Sequence, residues 1–242
     1  MATDHIVKSY DEELSRLSGT ITQMGGLAET QLAMAIQAMV RRDSELAASI
    51  IERDAQVDQL ERDVDNFVVR LLALRQPMAT DLRMIVTALR IASDLERIAD
   101  YAANVAKRAI ALNQVPPVRP MHTVPRMGAV VQEMIKDVID AYVARDVAKA
   151  MAVWNRDEEV DEMYNSLFRE LLTYMMEDPR SITTCTHLLF IAKNIERIGD
   201  HTTNIAELIH YQVNGSTIKA IRPKGDKTSF AVVQRTKSEG AN

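Results

Sequence analysis

Two copies of one acidic motif are the part of this sequence best suited to chemistry. The first copy reads Ile91-Ala-Ser-Asp-Leu-Glu96-Arg-Ile-Ala-Asp100, and the second, one hundred residues later, reads Ile191-Ala-Lys-Asn-Ile-Glu196-Arg-Ile-Gly-Asp200. Each copy places two carboxylates four residues apart, which puts them on one face of a helix. Carboxylate oxygens are the ligands that hard metal cations prefer. The motif therefore predicts a metal site.

A second acid pair precedes the motif in each half of the chain. In the first half the pair is Asp54 and Asp58, again four residues apart. Counted from Pro77, these acids lie 23 and 19 residues before the turn, while Glu96 and Asp100 lie 19 and 23 residues after it. At ~1.5 Å of rise per residue, both pairs stand roughly 30 Å from the turn on adjacent antiparallel helices. The four carboxylates can therefore meet.

The second half repeats this arrangement around a turn centred between Asp178 and Pro179. Its pairs, Asp157 with Asp161 and Glu196 with Asp200, also lie at matching distances before and after the turn. Spacing thus predicts two clusters of metal ligands. We name them the first carboxylate group (Asp54, Asp58, Glu96 and Asp100) and the second carboxylate group (Asp157, Asp161, Glu196 and Asp200).

Matching heights do not fix the direction in which side chains face, so exposed or salt-bridged acids are the alternative interpretation. Like charges at this spacing destabilise a helix by a few tenths of a kcal/mol, and a bound cation removes that repulsion. All-oxygen ligands favour magnesium, manganese, calcium or iron, while zinc accepts them less selectively. The sequence predicts divalent or trivalent metal ions without identifying the element.

Three further side chains are candidate accessory ligands. Asn104 and Asn204 each follow an acid of the motif by four residues, and capping of a neighbouring backbone is an equal alternative. His201 adjoins Asp200, but one residue along a helix turns a side chain by ~100°. The same rotation predicts that Arg97 points away from the acids.

These ligands require long helices to position them. The chain of 242 residues has only eight glycines, seven prolines and 5% aromatic residues, which favours an all-α fold. Residue pairs recur at a shift of 103, such as Met24-Gly25 with Met127-Gly128, so the chain is a tandem duplication. We predict two tandem three-helix bundles, six long antiparallel helices in all, over residues 4–41, 44–75, 79–112, 124–144, 147–176 and 181–213.

The same pattern divides the chain into four parts. Residues 1–112 form the first repeat, a proline-rich linker spans 113–125, and 126–213 form the second repeat. Asp43 and Asp146 are the predicted N-caps of the second and fifth helices. Residues 214–242 carry six basic against two acidic residues and several Gly and Pro. This tail is predicted to be flexible, with docking to an acidic partner as the alternative.

Composition also excludes several classes of protein. A net charge of −5 argues against direct nucleic-acid binding, which needs a basic face. No apolar run has the length of a membrane span, and the N-terminus lacks a signal peptide pattern, so we expect a cytoplasmic protein without membrane insertion. The single cysteine, Cys185, precludes an internal disulfide.

Catalysis by the same carboxylates is the main competing interpretation. Di-iron oxidases use Glu-x-x-His on two helices, and Glu207 with His210 matches that pattern once. The equivalent positions in the first repeat are Lys107 and Ile110, so the second copy is missing. Phosphate-binding loops and nucleophile motifs are also absent from the sequence. A carboxylate-bridged metalloenzyme, either a hydrolase or a di-iron oxidase, stays open as an alternative.

Over nearly the whole chain, to about Val213, the sequence resembles the PhoU family. The resemblance lies in the tandem three-helix repeats, the proline-rich linker and the two Glu-Arg-Ile-Ala/Gly-Asp helices. It implies a cytoplasmic, non-enzymatic negative regulator of the phosphate-starvation response and of high-affinity phosphate uptake. It also implies multinuclear metal clusters on the acidic motifs, and a homodimer. The implied partners are the ATP-binding subunit of the phosphate ABC transporter and the membrane sensor histidine kinase of the phosphate two-component system.

Overall fold

The computed structural model describes residues 2–220, and within this range the chain contains helices and no strand. The all-α prediction is therefore confirmed. The α-helices are α1 (Ala2–Arg41), α2 (Ser44–Arg75), α3 (Ala79–Leu112), α4 (Thr123–Ala144), α5 (Val147–Asn155), α6 (Asp157–Glu177) and α7 (Ile182–Asn214). Two short 3₁₀ helices, Arg119–His122 and Pro179–Ser181, precede α4 and α7.

The helices form two bundles, α1–α3 and α4–α7, that share one hydrophobic core. In the first bundle α1, α2 and α3 pack on one another, and in the second α7 packs against α4 and against both α5 and α6. The bundles are joined mainly where α3 packs on α7, with a second contact between α1 and α4. Fully buried residues from both bundles, such as Leu32, Leu95, Ile135 and Ile195, belong to one continuous hydrophobic cluster. The predicted tandem architecture is confirmed.

The fifth predicted helix is the place where the helix prediction needs correction. It was expected to run without interruption over residues 147–176, but it breaks at Arg156 into α5 and α6. The N–H of Arg156 bonds to the carbonyl of Val153, three residues back, instead of continuing the α-helical pattern. The Arg156 side chain meanwhile reaches α4, where it contacts Glu133 at 3.1 Å and Asp137 at 3.9 Å. Neither glycine nor proline marks this break in the sequence.

The two turns that open α2 and α5 are copies of each other. Arg42 and Arg145 both adopt the left-handed conformation, with φ of 56° and 53°. The aspartates that follow, Asp43 and Asp146, each accept a hydrogen bond from the backbone N–H three residues further on, at 2.9 and 3.0 Å. Both predicted N-caps are confirmed, and the duplication extends to the geometry of these turns.

Removal of one cap should weaken the fold measurably. We expect Asp43→Ala to lower the free energy of unfolding by about 1 kcal/mol, because the substitution leaves an N–H of the first turn without its acceptor. Asp43→Asn is the control, since the amide oxygen can accept the same bond. Urea denaturation followed by circular dichroism measures both variants. An equal loss in the two would contradict the capping role.

The segment between the two bundles is shorter than the predicted linker. Helix α4 begins at Thr123, so Pro125 lies in its first turn, where the missing N–H of proline has no helical acceptor to bond. At the other end, α7 stops at Asn214 and Gly215 takes a left-handed conformation with φ of 70°, which closes the helix. Most of the predicted tail, residues 221–242, lies outside the described residues.

Helices α1 and α4 approach each other closely at two glycines. A β-carbon on Gly25 would lie 2.5 Å from Cδ1 of Ile139, and one on Gly128 would overlap Cδ1 of Ile36. Both isoleucines are buried. The glycines are separated by 103 residues, and so are the isoleucines, so each helix inserts an isoleucine where its partner carries a glycine. This reciprocal contact fixes one bundle against the other.

Among residues 2–220 no helix combines the length and the apolar character that crossing a lipid bilayer requires.

Candidate functional site

Helices α2 and α3 bring the first carboxylate group together. The pKa of Asp54, on α2, is raised to about 6, first by burial and then by the charges of Asp100 on α3 and Asp58 on its own helix. Such coupling requires the carboxylates of the two helices to lie close together. The structure therefore places these acids at one site, as the distances from the turn predicted. Whether they ligate a metal stays a prediction.

Glu96 completes this group from α3. Its side chain is 17% exposed, and burial, followed by the charge of Asp100, raises its pKa to about 7. Arg97 partly compensates, with its guanidinium 3.5 Å from Glu96 and 3.4 Å from Asp100. The expectation that Arg97 points away from the acids is wrong, because its long side chain folds back along α3. It remains 56% exposed, so water screens much of its charge.

The first group also includes an acid that the repeat comparison missed. Glu61 lies on α2 three residues after Asp58, and its pKa is raised by burial, by Asp65 and by Asp58. The corresponding position in the second repeat is Tyr164, so Glu61 is not one of the acids that the two repeats share. The spacing of three residues from Asp58, on the same helix face, was the signal that could have found it.

The second carboxylate group is buried more deeply than the first. Asp157 is 2% exposed, Asp161 4% and Glu196 5%. Burial is the main reason that the pKa of Glu196 is raised to about 7, and the charges of Asp200 and Asp161 add to the effect. The acids of α6 and α7 therefore also meet at one site.

A lysine that sequence reasoning missed lies in the second group. Nζ of Lys193 is 2.8 Å from Oε1 of Glu196. Its positive charge lowers the pKa of Glu196, whereas burial and the neighbouring acids raise that pKa. The first repeat has Ser93 at the equivalent position, so the two groups differ in their local counter-charge. The spacing of three residues between Lys193 and Glu196 was the available signal.

Each group retains one buried carboxylate oxygen without a hydrogen-bond partner, Oδ1 of Asp54 and Oε2 of Glu196. An unpaired buried oxygen is unfavourable, and a cation supplies the missing partner. Donor chemistry in both groups therefore fits a hard metal ion. Within residues 2–220, however, no three His, Cys, Asp or Glu side chains are already arranged around a common metal position. Ligation would require side-chain rotation on fixed helices.

The three candidate accessory ligands make contacts with other parts of the molecule. Asn104 accepts a hydrogen bond from Lys107 at 3.3 Å. Asn204 lines a cleft between α3 and α7. His201 turns away from the second group, as the helical rotation suggested, and its Nδ1 lies 2.8 Å from Oδ1 of Asp94 on α3. In this position His201 links the two bundles and is not part of either carboxylate group.

The Glu207 and His210 pair, which resembled half of a di-iron motif, makes other contacts. Oε1 of Glu207 accepts a hydrogen bond from the indole N–H of Trp154 at 2.9 Å. Nδ1 of His210 lies 3.0 Å from the carbonyl oxygen of Ser216, just after the end of α7. Within residues 2–220, both side chains of the pair thus have structural partners.

Comparison with known proteins identifies the family. The PhoU domain model matches the chain twice, over residues 21–109 and 124–209. The chain belongs to the PhoU family. The two matches follow the duplication and contain both carboxylate groups.

Relatives within the PhoU family match almost end to end. The phosphate-specific transport system accessory protein PhoU homolog of Caulobacter vibrioides is 53% identical over 228 residues, which cover 94% of this chain and 99% of the relative. The homolog of Zymomonas mobilis is 49% identical, and the match covers 87% of this chain and 89% of that homolog. The similarity therefore extends to both halves.

Solved PhoU structures have the same fold. The crystal structure of PhoU from Pseudomonas aeruginosa superposes with a TM-score of 0.83 at 42% identity, covering 86% of this chain and all of that one. The phosphate transport system regulatory protein PhoU from Streptococcus pneumoniae gives a TM-score of 0.80 at 30% identity, with 87% and 100% coverage. The tandem helical architecture is thus the PhoU architecture.

Proposed function

We propose that this chain is an accessory, regulatory protein of a phosphate transport system and has no catalytic activity of its own. The observation that carries the proposal is the PhoU similarity across both repeats, which reaches 53% identity over 94% of the chain. Relatives at this level are described as accessory proteins of phosphate-specific transport. The contacts of Glu207 and His210 are consistent with a scaffold.

In finer detail, the protein limits phosphate uptake and the phosphate-starvation response when phosphate is plentiful. It does so in the cytoplasm through contacts with the ATP-binding subunit of the transporter and with the sensor histidine kinase, as a homodimer. The resemblance of the motif helices to the PhoU family supports these partners. A two-bundle body with one shared core suits a protein that holds other proteins in a fixed arrangement.

Deletion of the gene tests the regulatory role. We expect a deletion strain grown in abundant phosphate to express phosphate-starvation genes, and expression of the full chain to restore repression. Transcript levels of a phosphate-responsive promoter provide the measurement. Unchanged expression in the deletion strain would remove the regulatory proposal.

The carboxylate groups are proposed to hold metal ions that lock α2 to α3 and α6 to α7. Two observations support this role: the raised pKa values of Asp54, Glu96 and Glu196, and one unpaired buried oxygen in each group. A bound cation would supply positive charge that offsets the repulsion among the acids. The chain contributes the fixed helix positions, and the metal is either iron, manganese, magnesium or zinc.

Metal content tests this part of the proposal. Protein purified without chelator should contain metal by mass spectrometry, and an Asp100→Ala/Asp200→Ala variant should lose most of it, because each group loses a ligand. Glu158→Ala is a matched control, since Glu158 is exposed beside Asp157 but belongs to neither group. Absence of metal from the native protein, or equal loss in the control, would contradict the proposed metal sites.

A further inference from the structure

A cleft of about 520 Å³ between α3 and α7 concentrates positive charge on a chain whose net charge is −5. Lys107 and Arg108 line it from α3, and Arg197 lines it from α7. The amide side chains of Asn104 and Asn194 add neutral donors. Within residues 2–220 the lining includes no aspartate or glutamate. We call this feature the basic cleft.

Aromatic rings hold both arginines in place without neutralising them. The guanidinium carbon of Arg108 lies 4.1 Å from the centre of the Phe190 ring, and that of Arg197 lies 5.7 Å from the centre of the Tyr101 ring. In the described part of the chain neither arginine forms an ion pair. Stacking orients the planar guanidinium groups and leaves their N–H edges available to bind an anion in a fork geometry.

An unpaired polar atom is a second, independent sign of a ligand. His187 lines the same cleft, and its Nδ1 is buried without a hydrogen-bond partner. A buried polar nitrogen without a partner is unfavourable, and the tautomer that carries hydrogen at Nδ1 can donate to a bound oxygen. This nitrogen therefore suits a ligand rich in hydrogen-bond acceptors.

The duplication supplies an internal comparison. A larger cleft of about 790 Å³ lies between the same two helices, where Asn204 and Glu207 of α7 face Asp94 of α3. At the shift of one hundred residues, Lys107 of the basic cleft corresponds to Glu207 and Asn194 corresponds to Asp94. Repeat geometry alone therefore does not create the positive charge, which depends on side chains present in only one of these two clefts.

We propose that the basic cleft binds a small ligand through a phosphate-type oxyanion, either inorganic phosphate or the phosphate group of a nucleotide. Arginine forks form paired, charge-assisted hydrogen bonds with such oxygens. The volume lies within the roughly 300 to 1,000 Å³ of small-ligand sites. Arg108 and Arg197 carry most of the binding, because Lys107 also interacts with Asp54, whose pKa it lowers. These side chains of the cleft can bind an oxyanion whether or not the protein has the proposed regulatory role.

Equilibrium dialysis of the full chain against labelled inorganic phosphate, and separately against labelled ATP, tests the site. Chelator is present throughout, so that metal in the carboxylate groups cannot bind the anion. We expect saturable binding that Arg108→Gln weakens at least about tenfold, through loss of a charge-assisted pair. Arg108→Lys, which retains charge and removes the fork, should give a smaller loss. Arg90→Gln, in the other cleft, should leave affinity unchanged.

The two ligands distinguish the source of the oxyanion. Binding of inorganic phosphate or binding of ATP alone would each support the site and assign its ligand. Lack of saturable binding by both, up to about 10 mM, would overturn the proposal, as would equal weakening by Arg90→Gln or a strict requirement for added metal. Circular dichroism confirms that each variant is folded. The assay uses purified protein, so its failure would not affect the result expected from the deletion strain.

Discussion

Gly128→Val is expected to lower the free energy of unfolding by about 2 to 3 kcal/mol, because it overpacks the contact between α1 and α4. Even the first carbon of the new side chain would overlap Cδ1 of Ile36, which is 9% exposed and packed in the shared core. Relief requires a rotation of Ile36 or a separation of the helices, and both disturb the joint between the bundles. Urea denaturation monitored at 222 nm measures the loss.

Gly26 provides the matched control for this substitution. It lies on α1 next to Gly25, but a β-carbon there would meet nothing within 4 Å. Gly26→Val should leave stability unchanged or raise it by a few tenths of a kcal/mol, since valine tolerates a helix better than glycine. The double variant Gly128→Val/Ile36→Ala should lose less than the sum of its single variants. Equal losses at Gly26 and Gly128, or strict additivity, would contradict the proposed overlap.

The helical architecture could be predicted closely because its signals are local. Breaks fall at Pro77 and near Pro179, capping aspartates mark two helix starts, and apolar residues recur with helical spacing. The observed bounds Ser44–Arg75 and Ala79–Leu112 equal the predicted ones. The break at Arg156 could not be predicted in this way, since its side chain contacts Glu133 and Asp137 of another helix. Such tertiary contacts leave no mark on local spacing.

The positions of the acids along the helices could be predicted from the sequence, but the residues around them could not. Helical rise alone placed Asp54 opposite Asp100, as their electrostatic coupling now indicates. Comparison of the two repeats identifies residues that both repeats share. Residues present in only one repeat are therefore overlooked. Glu61 in the first group and Lys193 in the second have no equivalent in the other repeat. The burial of the acids could not be predicted from spacing either, since it depends on how the helices pack in three dimensions.

These differences make the two groups unequal as cation sites. The first group is half-exposed, includes the additional acid Glu61, and has the exposed Arg97 as a counter-charge. Three acids of the second group, Asp157, Asp161 and Glu196, are buried, and Lys193 already contacts Glu196 at 2.8 Å. A cation entering the second group must compete with that ammonium, whereas a cation entering the first competes mainly with water. Metal should therefore exchange faster at the first group.

In the presence of chelator, the protein is expected to lose stability as the pH rises from about 4.5 to about 8. Asp54, Glu96 and Glu196 have folded-state pKa values of about 6, 7 and 7, all above their ordinary values of 3.8, 4.5 and 4.5. Between each ordinary value and the raised one, the folded chain binds more protons than the unfolded chain. The stabilisation from these bound protons is fully present below the ordinary pKa values. It is lost as the pH rises through the folded-state pKa values.

Over this pH range the free energy of unfolding is expected to fall by an amount on the order of 3 kcal/mol. This is less than the sum of the energies that correspond to the three pKa shifts, because the acids share their repulsion and water screens the first group. Glu196→Gln should flatten part of the pH dependence, whereas Glu170→Gln, at an exposed position of α6, should not. When manganese replaces the chelator, it should stabilise the protein more at pH 8 than at pH 5, because protons compete with the cation for the same oxygens. Denaturant titrations across this range measure all three effects. Rising stability in chelator, or indifference to manganese at pH 8, would show that the carboxylate groups are not strained by their own charge.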